Sequence, residues 1–182
     1  MIFVRPAIPE DLDQLLELAS MTGFGLSTLP PDKAYLEKRL HEANQSFAEF
    51  MMEGKGKTFL FVMVDGEHVI GTCGIVTGIG GAVPFYAYRI GTTHVESRVL
   101  NICKTIDVLN LVDHYERCCG IGSLFLRPDY RGKGLRGLGR LLSVSRFLFM
   151  AEHPEVFESV VIAKMRGVVD ASGYSAFWES LG

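Results

Sequence analysis

The sequence predicts a single domain of the α/β (α+β) class, and three observations predict it. Strand-like and helix-like segments follow the order strand, helix, helix, antiparallel strands, strand, loop, helix, strand, helix. Two apolar runs, 58–64 and 69–76, flank the hairpin signal Asp65-Gly66. A third apolar run, 120–126, enters a basic, glycine-rich turn that leads into an apolar helix. The 182 residues are enough for one real core. With 48% hydrophobic and 21% charged residues, disorder is excluded as the general state.

The elements follow in order. Residues 1–5 read as a short strand. Pro9-Glu10-Asp11 starts a helix in which Leu12, Leu15, Leu16 and Ala19 fall at i, i+3, i+4, i+7. A Gly/Ser/Pro loop spans 22–31, and Asp32 caps a second helix carrying Tyr35, Leu36, Leu40 and Phe47. Lys55-Gly56-Lys57 ends that helical region, and the hairpin of 58–76 follows. Residues 78–84 form a flexible break, 85–93 look extended, and 95–117 mix apolar and polar residues with weak periodicity. The run 120–126 is expected to be the central strand, with a helix to about residue 151 after its loop. A strand at 160–169 and a helix at 171–181 close the order. No repeat, low-complexity segment or linker is visible.

The loop carries the chemistry. Four glycines let the backbone approach a ligand closely. Their N–H groups and the following helix N-terminus form an anion site, to which Arg131, Lys133, Arg136 and Arg140 add charge. The pattern G-x-G-x-x-G-x-G sits two-thirds along the chain, whereas a dinucleotide fingerprint belongs to a first strand. No Lys-Ser or Lys-Thr follows the glycines, so a P-loop is excluded. What remains is a pyrophosphate held at the mouth of a sheet, or a surface loop with solvated arginines.

Other classes find little support. A net charge of −3 implies no general nucleic-acid surface. No apolar run reaches the ~18 residues of a membrane span, and no signal-peptide pattern is read at the start. Cys73, Cys103, Cys118 and Cys119 include no C-x-x-C, which favours reduced thiols in a cytoplasmic protein over a metal site. His41, His68 and His153 read as solvated. His94 follows Tyr88-Arg89-Ile90-Gly91-Thr92, and His114 precedes the run 120–126; these two are the only catalytic candidates among the histidines. No two histidines fall at i, i+4, and no metal is expected.

The strand, then Pro128-Asp129-Tyr130-Arg131-Gly132-Lys133-Gly134, then Leu141-Leu142, resembles the coenzyme A loop of the GCN5-related N-acyltransferases. That resemblance implies a mixed, mostly antiparallel sheet flanked by helices. The segments 22–30, Phe85-Tyr86-Ala87-Tyr88-Arg89-Ile90-Gly91-Thr92, 124–131, 141–147, 165–170 and Gly173-Tyr174-Ser175-Ala176-Phe177-Trp178-Glu179-Ser180-Leu181-Gly182 sharpen it. Together they resemble the arginine/ornithine N-succinyltransferase family over nearly the whole chain. The resemblance implies transfer of a succinyl group from succinyl-CoA, as co-substrate, to the α-amine of arginine or ornithine, in arginine catabolism.

Site roles follow from the same resemblance. Leu124, flanked by Phe125 and Leu126, is the position that contacts succinyl-CoA. Arg131, Gly132, Lys133, Gly134, Gly137, Gly139 and Arg140 are expected around the phosphates. Residues 132–136 look extra or rearranged, whereas Gly137-Leu138-Gly139 matches the family's glycine pair. The loop 22–29, with Ser27 and Thr28, occupies the place where the fold covers its acceptor. On its own chemistry, Arg89, which follows Tyr86 and Tyr88, is a candidate partner for the acceptor's carboxylate or the succinyl end; it also reads as a salt-bridged surface group. Many acyltransferases of this fold take the thiolate's proton from a tyrosine in the last helix. The matching position is Trp178, which is a donor only and is expected in the core.

The family's chain runs on for about as long again, and its proton-donor histidine belongs to that second half. Residues 1–182 are therefore expected to be the N-terminal half of a longer family chain, lacking the sheet's last strands. An unpaired flank on the strand 160–169 then implies self-association or a second chain. Two readings stay open beside this one: a related acyltransferase with another donor or amine, and a non-catalytic CoA-binding half.

Overall fold

The hairpin signalled by Asp65-Gly66 forms the heart of the computed structural model. The structure describes residues 1–182 apart from 24–25, 51–55, 81–83, 133–136, 166, 171 and 182 and the side chain of Leu181. β1 (Ile2–Pro6) pairs antiparallel with β2 (Thr58–Asp65), and β2 with β3 (His68–Val76). Gly66 takes the left-handed conformation the tight turn demands. β3 pairs antiparallel with β6 (Cys119–Leu126), and β6 pairs parallel with β7 (Val161–Ala163). The sheet order is β1-β2-β3-β6-β7, so the middle strand is β3; the run expected at the centre, 120–126, lies one place further out.

Both faces of β2 are apolar because both are covered. Leu60, Val62 and Val64 pack with Leu15, Leu18, Leu40 and Ala43 of α1 (Leu12–Ser20) and α2 (Lys33–Ala48). Phe59, Phe61 and Met63 pack with Leu142 and Met150 of α3 (Leu138–Glu152). Phe47 and Phe149 stand edge-on to that second layer, with centroids 5.2 Å apart for Phe47–Phe59 and 5.1 Å for Phe61–Phe149.

The helix starts are chemically specified. Asp32 caps α2 by accepting from the Tyr35 amide at 3.0 Å. A one-turn 3-10 segment, Pro9–Asp11, precedes α1, and buried Asp11 accepts twice from Arg5 at 2.7 Å and from the Ile8 amide at 2.9 Å. On α1 the buried face takes Leu18 in place of Leu16, and on α2 Tyr35 is exposed.

Four expectations are corrected. The mixed segment 95–117 is largely a hairpin: β4 (Ala87–Ser97) and β5 (Ile102–Val112) form their own two-stranded sheet, from Ala87↔Val112 to Ser97↔Ile102. Its alternation was illegible because both faces carry exposed apolar groups, Tyr88, Ile90, Ile106 and Leu111 among them. The strand expected at 160–169 is only the three residues of β7. Asp170 ends that region in a turn, its carboxylate accepting from the amides of Ser172 (2.8 Å) and Tyr174 (2.9 Å) and from the Ser172 hydroxyl. Those donors, the hydroxyl foremost, hold the Asp170 carboxyl below its ordinary range. The last helix therefore starts late, as α4 (Ala176–Leu181). Trp178, expected in the core, is 60% exposed against Phe177, because no described element covers that face of α4.

The predicted class and layout stand: a mixed, mostly antiparallel sheet flanked by helices, with β6 leading through the glycine-rich turn into α3.

Candidate functional site

Small residues shape the site. Gly71, Gly74, Gly120 and Gly122 lie where β3 meets β6, and each position leaves little or no room for a larger side chain or borders a hollow. At Gly71 an added Cβ would stand 2.8 Å from the Phe125 carbonyl oxygen and 2.9 Å from a Leu142 methyl. The register then breaks. Thr72 faces Phe125 and Gly74 faces Gly122, so Cys73 alone opposes both Ser123 and Leu124. This is a β-bulge in β6, with Ser123 at φ 51. Ser123 is fully buried, whereas Leu124 is 41% exposed.

The bulge is pinned by the loop before α2. The Ser123 amide donates to Thr28 Oγ1 at 3.1 Å, and the Ser123 hydroxyl donates to the Thr28 carbonyl at 3.1 Å. Arg39 Nη1 donates to the same carbonyl. A cavity of about 210 Å³ opens here, with Thr28, Arg39, Gly74, Val76, Gly120 and Gly122 on its wall, and Ile79, Phe85, Ile121, Ile162 and Lys164 closing it. A second hollow of about 240 Å³ adjoins it through Thr28, Arg39 and Val76 and reaches Tyr35, Lys38, Glu42 and Thr58.

Past the bulge the chain turns through a 3-10 segment, Pro128–Tyr130, toward α3. Arg131 folds back: its Nε donates to the Leu126 carbonyl at 2.8 Å, and its guanidinium lies 4.9 Å from the Phe125 ring centre. Gly132 has φ 77, with open space around it. Gly137 has φ 99, a left-handed N-cap that supplies no side chain to α3. Among the described residues no side chain caps the first amides of α3, and an anion there would meet both N–H donors and the helix dipole. Gly139 and Arg140 lie exposed in that first turn. Lys133 and Gly134, like Arg136, lie outside the described residues.

The acceptor candidates separate. Thr28 lines both hollows, with Ser27 exposed beside it. Tyr88 and Arg89 are exposed on β4, Arg89 opposite Asn110; Tyr86, just before β4, is 60% exposed. None of the three lines either hollow; their neighbour Phe85 does. His94 shares a 2.9 Å contact between Nδ1 and Thr105 Oγ1 on the β4–β5 hairpin, and His114 is exposed in the turn after β5. Neither lines either of the two hollows. Two of the thiols, Cys73 and Cys119, are unsuited to attack at neutral pH. Burial pushes Cys73 up to about 11, and burial together with the Glu158 carboxylate, 2.7 Å away, pushes Cys119 up to about 12.

Arg39 was missed from sequence. Its signal was there: it falls three residues after Leu36 and four before Ala43, on the apolar stripe of α2. An arginine in such a stripe is a buried charge that needs a reason.

Comparison with known proteins adds the following. The family model described as arginine N-succinyltransferase beta subunit matches residues 2–182. The arginine N-succinyltransferase of Citrobacter koseri is 40% identical over 183 residues, covering 100% of this chain and 52% of that protein. The arginine N-succinyltransferase of Enterobacter sp. (strain 638) is 39% identical over 183 residues, with the same coverage. Among solved structures, the arginine/ornithine succinyltransferase subunit AI of Pseudomonas aeruginosa superposes with a TM-score of 0.88 at 31% identity, covering 98% of this chain and 54% of that one. The chain thus spans about half the length of the curated relatives it matches.

Proposed function

We propose that this chain, which belongs to the arginine N-succinyltransferase beta subunit family, binds succinyl-CoA for transfer of its succinyl group to the α-amine of arginine or ornithine. The observation that carries the reading is the bulge at Ser123 and Leu124, next to the cavity, on the strand that leads through the turn of 127–137 to the start of α3. That order along the chain suits a thioester at the bulge and a diphosphate at the helix. The diphosphate would take the amides of Leu138, Gly139 and Arg140, with the Arg140 side chain beside them. Gly132 and Gly137 would let the main chain pass close to the phosphates. Lys133, Gly134 and Arg131 would add to the same phosphate-binding turn.

In the reaction the amine nitrogen attacks the thioester carbon. A C–N bond forms, the C–S bond breaks, the amine gives up a proton and the departing thiolate takes one. Leu124 would lend its amide to the developing oxyanion, since it is one of the two β6 residues outside the β3 pairing and the other, Ser123, gives its N–H to Thr28. Thr28 and Ser27 would border the acceptor; Arg89, Tyr86 and Tyr88 would act only if the hairpin closed over it. His94 and His114 would serve in proton transfer only from outside both hollows, and the remainder of the family's chain is the better source of the acid.

A partner chain or second copy completing the sheet at β7 belongs to the same proposal. Among the described residues β7 is an edge strand, and Val160, Phe177 and Trp178 are exposed. A cytoplasmic setting is proposed as well, on four free cysteines and an intracellular acyl donor. Among the described residues no helix is long and apolar enough to cross a membrane.

Thiol release from acyl-CoA compounds tests the proposal. Succinyl-CoA with arginine should turn over at least about tenfold faster than acetyl-CoA with arginine or succinyl-CoA with unrelated amines. Equal rates would overturn the specificity. The same assay tests the partner: the rate per chain should fall on dilution as the assembly separates, and a constant rate would count against it.

A further inference from the structure

We propose that Arg39 holds the free carboxylate of the acyl group, and so selects a dicarboxylic acyl-CoA over a plain aliphatic one. The inference rests on the reading of this domain as an acyl-CoA site. Arg39 is only 8% exposed, yet among the described residues it has no ion-pair partner. Tyr35 and Glu42, on the wall of the second hollow, favour its charge, but with no direct ion pair its burial remains costly. One donor, Nη1, goes to the Thr28 carbonyl; Nη2 lies against Gly74, 3.1 Å from where a Cβ would stand, and the group lines both hollows. Burial lowers its pKa, a penalty that a bound carboxylate would offset.

The cavity fits the partner. Its walls are aliphatic at Val76, Ile121 and Ile162, which suits a short methylene chain. Among the described residues its charged lining is Arg39 and Lys164, with no Asp or Glu; Glu42 lines the adjoining hollow instead. A wall with two cations and no carboxylate accepts an anionic tail and repels the guanidinium of an arginine acceptor. At about 210 Å³ the cavity is far too small for a nucleotide and ample for a four-carbon acyl chain. Thr28 ties this pocket to the bulge, since the carbonyl that Arg39 grips also accepts from the Ser123 hydroxyl. A thioester at Leu124 and a carboxylate at Arg39 would thus occupy adjoining positions.

The test is calorimetric titration of the protein, purified with any chain that accompanies it, using succinyl-CoA, butyryl-CoA and CoA. Butyryl-CoA keeps the chain length and lacks the carboxylate. Arg39→Met should weaken succinyl-CoA by roughly 10- to 100-fold and leave butyryl-CoA and CoA within about threefold. Arg39→Lys, which keeps the charge and loses the planar fork, should fall between. A second measurement needs no variant: the Arg39 Nε–H resonance of the unaltered protein should move on adding succinyl-CoA and stay put with butyryl-CoA. Equal losses for all three ligands, no loss at all, or a loss confined to the affinity for arginine would each overturn the role. Failure of the unaltered protein to bind CoA would instead remove the acyl-CoA reading itself, and this role with it.

Discussion

Replacing the Leu124 amide by an ester, through incorporation of the α-hydroxy acid of leucine at 124, is expected to slow succinyl transfer by about 10²- to 10³-fold. The substitution deletes one N–H and leaves the side chain intact. In β6 the bulge sets two residues against Cys73 alone, and Ser123 gives its amide to Thr28. The Leu124 amide is then the donor proposed for the thioester oxygen as it gains charge. A donor felt chiefly in the transition state should lower kcat and barely change CoA affinity. The checking measurement is therefore paired: single-turnover rates beside titration with CoA. A rate within threefold of the unaltered protein would exclude the Leu124 amide from the reaction. A parallel collapse of CoA affinity would point to a broken strand instead.

Gly71→Val is expected to be the most damaging single side-chain change in the sheet. An added Cβ there stands 2.8 Å from a backbone oxygen of β6, 2.9 Å from Leu142 of α3 and 3.2 Å from Leu126. The nearest of these is a main-chain atom that cannot swing aside, and the two Val γ-methyls would push further into α3. Overpacking of this kind costs about 2–4 kcal/mol. For a domain of this size that lowers the thermal midpoint by about 5–15 °C. Because α3 presents its N-terminus to the proposed phosphates, CoA affinity should fall with stability. Thermal unfolding followed by circular dichroism checks the first effect; a midpoint shifted by less than about 2 °C would mean that β3 and α3 are not packed as described.

The parts of the fold that could be read from sequence were those whose local chemistry matches their burial. The hairpin at Asp65-Gly66 joins two strands buried on both faces, so its apolar runs are continuous. Asp32 caps α2 because its side chain meets an amide three residues on. The glycines at 132 and 137 were visible as glycines, and both have the positive φ that favours them. The parts that escaped depend on tertiary context. The hairpin of β4 and β5 has no covered face to impose a period of two. The strand expected at 160–169 keeps only 161–163, the three residues that find a partner in β6. Of the site, Thr28 was legible through the resemblance of its loop, whereas Arg39 was hidden by its position in an apolar stripe. Arg89 was overvalued: a basic residue following two tyrosines looks like a binding group, but Tyr86, Tyr88 and Arg89 are exposed and line neither hollow.

What matters most is whether the main chain from Leu124 to the first turn of α3 grips an acyl-CoA. Backbone amide resonances of Leu124, Leu138, Gly139 and Arg140, followed while CoA and then succinyl-CoA are added, report on this directly. CoA should move the three helix amides, and succinyl-CoA should move Leu124 as well, both saturably. Amides that stay fixed at millimolar ligand, or shifts confined to β4 and β5, would contradict it.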